Sequence, residues 1–391
     1  MVGGAVRDAL LGLPVQDRDW VVVGSTPEEL VERGFLPVGK DFPVFLHPTT
    51  KEEYALARTE RKTARGYHGF EVHAAPDVTL EQDLARRDLT INSIAACALI
   101  DWTSEKFGTD ADMSPAHLID PYGGQRDIKD KVLRHVTDAF REDPVRILRV
   151  ARFAARFSNF SVAPETMQLM KDMVTHGEVD ALVAERVWQE LSRGLMESKP
   201  SRMFAVLREC GALERLLPEI KSGPDSNLTL DTAAQVQAAL PVRFACLMHD
   251  LEGEALKGVC TRLRVPVDCR ELADVVVREH GNILLSTDFG ELALIQLLER
   301  CDAMRKPHRF VDALLVSECV ARGRPGLQNA AFPQRRRLAG VLQAAQSVVT
   351  SVIAEAALVE GLDGRKIGER VHAARVAAVA AHISGLTELI R

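Results

Sequence analysis

The sequence predicts a small α+β head followed by a long all-α remainder, and three observations carry that reading. Short runs rich in β-branched and aromatic residues, 19–23 (DWVVV), 44–47 and 54–57, lie among turn residues near the start and read as strands. From about Thr79 onward the pattern changes to apolar residues at three- and four-residue spacing. It is clearest over 139–157, 163–175, 185–196, 201–210, 240–251 and 289–300, and each of these reads as a helix. With 391 residues the chain exceeds what one ordinary core accommodates, so about two to four domains are expected.

Between the first glycines and the first strand, residues 5–11 read as a short helix closed by Gly12. The polar segment 220–231 (IKSGPDSNLTLD) carries Gly, Pro and Asn and reads as a loop. Seven cysteines, an odd number without C-x-x-C spacing, argue against a disulfide framework or zinc ribbon. No transit peptide and no apolar run of about eighteen residues is visible, so a cytoplasmic address is expected. A net charge of −6 argues against a uniformly basic nucleic-acid binder. Residues 305–337 nevertheless hold eight Lys/Arg against Asp312 and Glu318, which suits either a phosphate-binding face or a solvated polar surface.

The chemistry begins at Asp17-Arg18-Asp19. Residues two apart on an extended backbone share a face, roughly 6.5–7 Å apart. Two carboxylates so placed suit Mg²⁺, a hard ion that also takes phosphate oxygens; they equally suit a turn before a strand. Gly3-Gly4 stand ahead of the short helix, where glycine admits close approach of a phosphate or simply makes a tight turn. Arg7, one turn in, offers a fork of donors.

These phrases recur in a known order. VGGAVRDALLG (2–12), DRDWVVVG (17–24), EEYALARTERK (52–62), RRDLTINSIA (86–95), IDPYGG (119–124) and EDPVRILRVARFAARF (142–157) resemble the motif series of bacterial CCA-adding tRNA nucleotidyltransferases, of the class shared by bacteria and eukaryotes. The resemblance runs through most of the chain, including FAVLRECGAL (204–213) and RKPHRF (305–310). It implies a polymerase-β-like nucleotidyltransferase head (1–135), a helical neck that recognises the base (136–200), a helical body (201–300) and a helical tail that binds tRNA (301–391). It also implies transfer of CMP twice and AMP once from CTP and ATP onto tRNA 3′ ends, with Mg²⁺ and release of pyrophosphate. By position, Asp17 and Asp19 match the metal-binding catalytic carboxylates. Gly4, Arg7, Arg87, Arg146 and Arg149 match positions that hold the incoming nucleotide. For Arg86, Asp88 and Asn92, salt bridges and a helix start compete with direct contact.

Base choice has a physical logic of its own. Cytosine and adenine both present an exocyclic amine donor beside a ring-nitrogen acceptor, whereas uracil and guanine present the reverse. One carboxylate and one guanidinium therefore suffice to select C and A without a template. Asp143 and Arg146, spaced i, i+3 at a helix start, have the right chemistry. Pro144 makes a helix cap the competing role for Asp143; beside the resemblance, base reading is the expectation.

Two departures stand out. Relatives carry several strand residues before the Gly-Gly, whereas here only Met1 and Val2 precede it, which predicts an unpaired sheet edge beside the site. Many relatives also carry an HD phosphohydrolase domain. This chain keeps His249-Asp250 but passes almost directly to CTRLRVP, so a buried helix remnant is expected there. The resemblance leaves three rival readings. A poly(A) polymerase would usually add a strongly basic C-terminal extension, which does not appear through Arg391. A partial enzyme adding only C or only A would lack the flexible specificity loop that the resemblance places within 61–84, where no deletion is visible. A non-catalytic RNA-binding relative would need neither the D-x-D nor the EDPVR motif.

Overall fold

The computed structural model describes residues 1–38, 44–62, 70–97, 117–220 and 224–390; residues 63–69 of the 61–84 segment lie outside them. The chain divides into two compact units, residues Met1–Gly194 with Arg202–Leu216 and residues Leu195–Ser201 with Leu217–Arg391.

The first unit opens with helix α1 (Gly4–Leu10) and strand β1 (Asp19–Val22), followed by α2 (Pro27–Glu32), β2 (Leu36–Val38), β3 (Val44–Leu46) and β4 (Glu53–Leu56). The strands form one sheet in the order β1-β4-β3-β2, with β1 parallel to β4 and the other pairs antiparallel. The β1–β4 register sets Trp20 opposite Tyr54. Their rings stack at 5.6 Å and pack with Leu30, Phe35, Phe45 and Leu56 into the head's main apolar cluster. Helix α2 starts on a capping box in which Thr26 and Glu29 satisfy each other's backbone N–H groups.

The free edge expected beside β1 is covered. Val2 bridges Asp19 on one side and Ala95 on the other, and its N–H donates to the Asp19 carbonyl at 2.9 Å. The Met1 ammonium donates to the Ala96 carbonyl at 2.9 Å, and burial pulls its pKa down to about 5. Two residues thus fill the strand position, because each exposes a backbone edge on both sides.

Beyond β4 come the hairpin β5 (Thr59–Lys62) and β6 (Phe70–His73), α3 (Leu80–Ala85), the two-residue strands β7 (Ala95–Ala96) and β8 (Leu118–Ile119), α4 (Gly124–Asp130) and β9 (Val132–Leu133). Then follow α5 (Val145–Arg156), β10 (Ser161–Val162), α6 (Pro164–Thr175), α7 (Ala184–Leu195), α8 (Ser201–Glu209) and α9 (Ala212–Leu216). Strands therefore continue past Thr79, contrary to the helical reading, but β7 to β10 are too short to carry a periodicity. The long helix expected over 139–157 is broken: a 3₁₀ turn, Asp138–Glu142, precedes α5, and extended Asp143 separates them. Pro144 disfavours a helical residue before it.

The second unit is helical, from α10 (Pro224–Gln235), α11 (Leu240–Met248), α12 (Gly253–Arg262) and α13 (Val267–Leu285) to α14 (Glu291–Arg300), α15 (Pro307–Arg322), α16 (Pro333–Gln346), α17 (Thr350–Val359) and α18 (Gly364–Ile390). Part of the segment expected as a loop is helix α10. Its turn residues cluster at the helix entrance, with Pro224 in the first turn where a missing N–H costs nothing, and Thr229, Leu230, Ala233 and Ala234 are buried. Within Pro333–Val359 an 18-residue window reaches a mean hydropathy of 1.4, long and apolar enough by composition to cross a bilayer, against expectation. It is two helices, α16 and α17, rather than one, and Leu338, Val341, Leu342 and Ala345 of the first are buried.

Candidate active site

Gly3 and α1 form one wall of the site. Gly3 has φ 73°, a left-handed value that glycine adopts without strain, and a Cβ there would lie 2.8 Å from Arg87 Nη1. A Cβ on Gly4 would meet only Arg7, at 3.5 Å. The stricter demand for glycine thus falls on Gly3. Arg7 is buried, donating to Asp8 Oδ1 at 2.8 Å and to Asn92 Oδ1 at 2.5 Å, and lies over the rings of Phe153 and Phe157 at 5.1 and 5.2 Å.

Asp19 opens β1 and Asp17 stands just before it. Both are exposed, and neither carboxylate is hydrogen-bonded or ion-paired to another described residue. Desolvation raises the Asp19 pKa, the Arg87 cation opposes the rise, and the Asp17 charge adds to it. Two mutually repelling carboxylates without protein partners are a donor set suited to a hard divalent cation. Among the described residues no group of three or more His, Cys, Asp or Glu is placed to hold a metal, so other oxygens would complete such a shell.

The opposite wall comes from α5 and the residues before it. Asp88 is the hub between the walls: its Oδ1 accepts from Leu89 N–H and Asn92 Nδ2, and its Oδ2 from Arg149 Nε at 2.7 Å. Burial alone would push this carboxyl up. Arg149, the Asn92 hydrogen bond and Arg146 outweigh that and hold it well below the usual carboxylate range. Polar contacts thus run from Arg156 to Asp8, Arg7, Asn92, Asp88 and Arg149. Arg149 stands 3.9 Å from Glu190, which accepts from Arg152 at 2.6 Å. Asp88 and Asn92 belong to this internal network and Arg86 pairs with Asp83 at 2.7 Å, while all three also line the cleft.

Arg146 donates to the Ala139 carbonyl at 2.7 Å. Asp143 accepts from Val145 N–H at 3.2 Å and from both Nη atoms of Arg186, at 3.0 and 2.6 Å. It is therefore a helix cap and an ion-pair partner together.

Gly4, Arg7, Asp19, Arg87, Asp143, Arg146 and Arg149 all line one cleft of about 480 Å³; of the sequence-derived set only Asp17 is not on its wall. Among the described residues eight arginines line the cleft, against Asp19, Asp88 and Asp143. Such a surplus suits a polyanion, although the chain as a whole is acidic. Sequence reasoning missed Arg152, Arg156, Arg186 and Glu190. The one local signal was the i, i+4 spacing of Arg186 and Glu190, which puts them on one helical face without saying what it meets.

The comparisons agree with this geometry. Residues 1–134 match the Poly A polymerase head domain, and residues 159–223 match a probable RNA- and SrmB-binding site of polymerase A. The multifunctional CCA protein of Polaromonas naphthalenivorans (strain CJ2) is 62% identical over 414 aligned positions, covering 97% of each chain. That of Acidovorax ebreus (strain TPSY) is 60% identical, covering 97% of this chain and 95% of its own. A solved CCA-adding enzyme in complex with ATP shares the fold, with a TM-score of 0.67 and 21% identity over 97% of this chain and 84% of its own. The head motifs, the arginine-lined cleft and the near full-length identity agree: the chain belongs to the bacterial CCA-adding nucleotidyltransferase family.

Proposed function

We propose that this protein adds and repairs the 3′-terminal CCA of tRNA, taking CMP from CTP and AMP from ATP without a template and releasing pyrophosphate. The observation that carries the reading is one cleft in which the described residues combine eight arginines, Asp19 without a protein partner, and Asp143 with Arg146 on the opposite wall. The first feature suits a triphosphate, the second a metal and the third a base edge.

In our assignment Asp17 and Asp19 hold the metal, Mg²⁺, which when bound supplies electrostatic stabilisation to the attacking hydroxyl and the departing pyrophosphate. Arg7, Arg87 and the backbone at Gly4 face the phosphates. Asp143 accepts from the amine that C and A share, and Arg146 donates to the neighbouring ring nitrogen, with Arg149 closing the nucleotide site. The protein's part is positioning: the Asp88 network fixes the two walls before substrate arrives, so little reorganisation is left to the reaction.

The same reading assigns residues 1–135 to the head, 136–200 to the neck, 201–300 to the body and 301–391 to the tail. We place the protein in the cytoplasm, where its substrate would be, and assign tRNA recognition to shape and backbone along the helical remainder. The basic stretch 305–337 contributes less than its composition suggests. Lys306 and Arg309 pair with Glu271, Arg305 pairs with Asp302, and Arg322 and Arg335 pair with Glu318. The test is incubation with Mg²⁺ and tRNA lacking its last three nucleotides. Labelled CTP should be incorporated alone, and labelled ATP only after CTP. ATP uptake independent of CTP would favour a poly(A) polymerase, and no uptake of either would leave a non-catalytic RNA binder.

A further inference from the structure

Asp143 cannot select a base unless its free acceptor points one way. An ionised carboxylate offers about four acceptor positions, two on each oxygen. In this structure Oδ1 accepts from Val145 N–H at 3.2 Å and from Arg186 Nη1 at 3.0 Å, so both of its positions are used. Oδ2 accepts from Arg186 Nη2 at 2.6 Å and keeps one position. Arg186 and Asp143 both line the cleft, with side chains 28% and 18% exposed. The fork of α7 thus holds the carboxylate plane from one side while the start of α5 pins one of its oxygens.

We propose that Arg186 is a positioning residue for nucleotide selectivity. By occupying two acceptor positions in a planar fork, it leaves Asp143 a single acceptor on Oδ2 for the exocyclic amine that C and A share. This rests on the base-reading role proposed above for Asp143. A guanidinium does this and an ammonium does not, because two parallel donors fix the carboxylate plane whereas one mobile donor leaves it free to turn. An ionised carboxylate only accepts, so it cannot satisfy the carbonyl that U and G present at the same edge. Base choice then depends on a residue 43 positions along the chain from the carboxylate it orients.

The experiment measures kcat/KM for CTP, ATP, UTP and GTP on truncated tRNA with Mg²⁺, for the parent, Arg186→Gln, Arg186→Lys and Asp143→Ala, with the melting temperature of each. The expected result is that both Arg186 variants lose discrimination of C and A against U and G by roughly tenfold to a hundredfold. The loss should appear as higher KM for CTP and ATP while UTP and GTP hold steady or improve, and lysine should not restore the parent. If Asp143→Ala loses discrimination but both Arg186 variants keep it, the positioning role is wrong and the base-reading role stands. If Asp143→Ala keeps full discrimination, both fall. An equal drop for all four nucleotides, or unfolding of both Arg186 variants below the assay temperature, makes Arg186 structural and overturns the proposal.

Discussion

At the residue scale, function concentrates on side chains left without protein partners beside others that are fully engaged. Asp17 and Asp19 belong to the first kind, since neither carboxylate is hydrogen-bonded or ion-paired to another described residue, whereas Asp8, Asp83, Asp88 and Asp143 are. Asp17→Ala or Asp19→Ala should abolish CMP and AMP incorporation while tRNA binding survives, and near-normal turnover of either variant in Mg²⁺ would remove it from the metal site. Arg7 belongs to the second kind, being buried and bonded to Asp8 and Asn92. The D-x-D and EDPVR motifs were legible because their chemistry depends on neighbours two or three residues apart. Arg186 was not legible, because its partner lies in a different element and periodicity reports only which residues share a face. That Gly3 rather than Gly4 carries the stricter demand was hidden for a similar reason: the φ value and the Arg87 contact come from the fold.

At the element scale, α5 carries both a cap and a candidate base reader at its first residues. Asp143→Ala removes both roles, and their consequences separate. Loss of the cap predicts a lower melting temperature, about 0.5–2 kcal/mol in stability, with nucleotide preference intact. Loss of base reading predicts joint decline of CTP and ATP efficiency with more UMP or GMP misincorporated. Measured kcat/KM for all four nucleotides beside the melting temperature decides, and a variant that melts early but still rejects UTP and GTP would end the base-reading role.

The tie between α5 and the segment carrying Asp88 makes a separate prediction. The Asp88 carboxyl is depressed in the folded protein, so its stabilisation is present above the ordinary carboxyl value near ~3.9 and is lost as pH falls through the folded value. Asp88→Ala should cost about 3–5 kcal/mol at neutral pH by leaving buried partners unpaired, and the gap to the parent should narrow as pH falls below about 4. A constant gap from pH 7 to pH 3 would mean that packing, rather than charge, accounts for the loss. Strands β1, β3 and β4 and helices α1, α5 to α8, α11 and α14 were legible from local pattern. The two-residue strands and α10 were not, because the former are too short for a pattern and the latter is polar at its entrance.

At the scale of the whole molecule, the second unit shows what the chain retains and what it lacks. His249 is buried, donates through Nδ1 to the Cys246 carbonyl at 2.9 Å, and lies 5.8 Å from the His280 ring. Asp250 stands 3.3 Å from its Nε2, and burial lowers the His249 pKa. The alignment with the Polaromonas protein spans 414 positions, more than the 391 residues present here, so that relative carries residues this chain does not. Metal-dependent phosphatase and 2′,3′-cyclic phosphodiesterase activity should be slight. Robust hydrolysis that disappears in His249→Ala would show that other residues rebuild a metal site.

The central claim is that one protein cleft chooses C, C and A in order and then stops. It is tested most directly by supplying all four nucleotides together, with Mg²⁺ and tRNA lacking its last three nucleotides, and sequencing the 3′ ends of the products. The account predicts that the products end in CCA and grow no further, although UTP and GTP are present throughout. Homopolymeric A tails, ends arrested at CC, or U and G among the added nucleotides would contradict it.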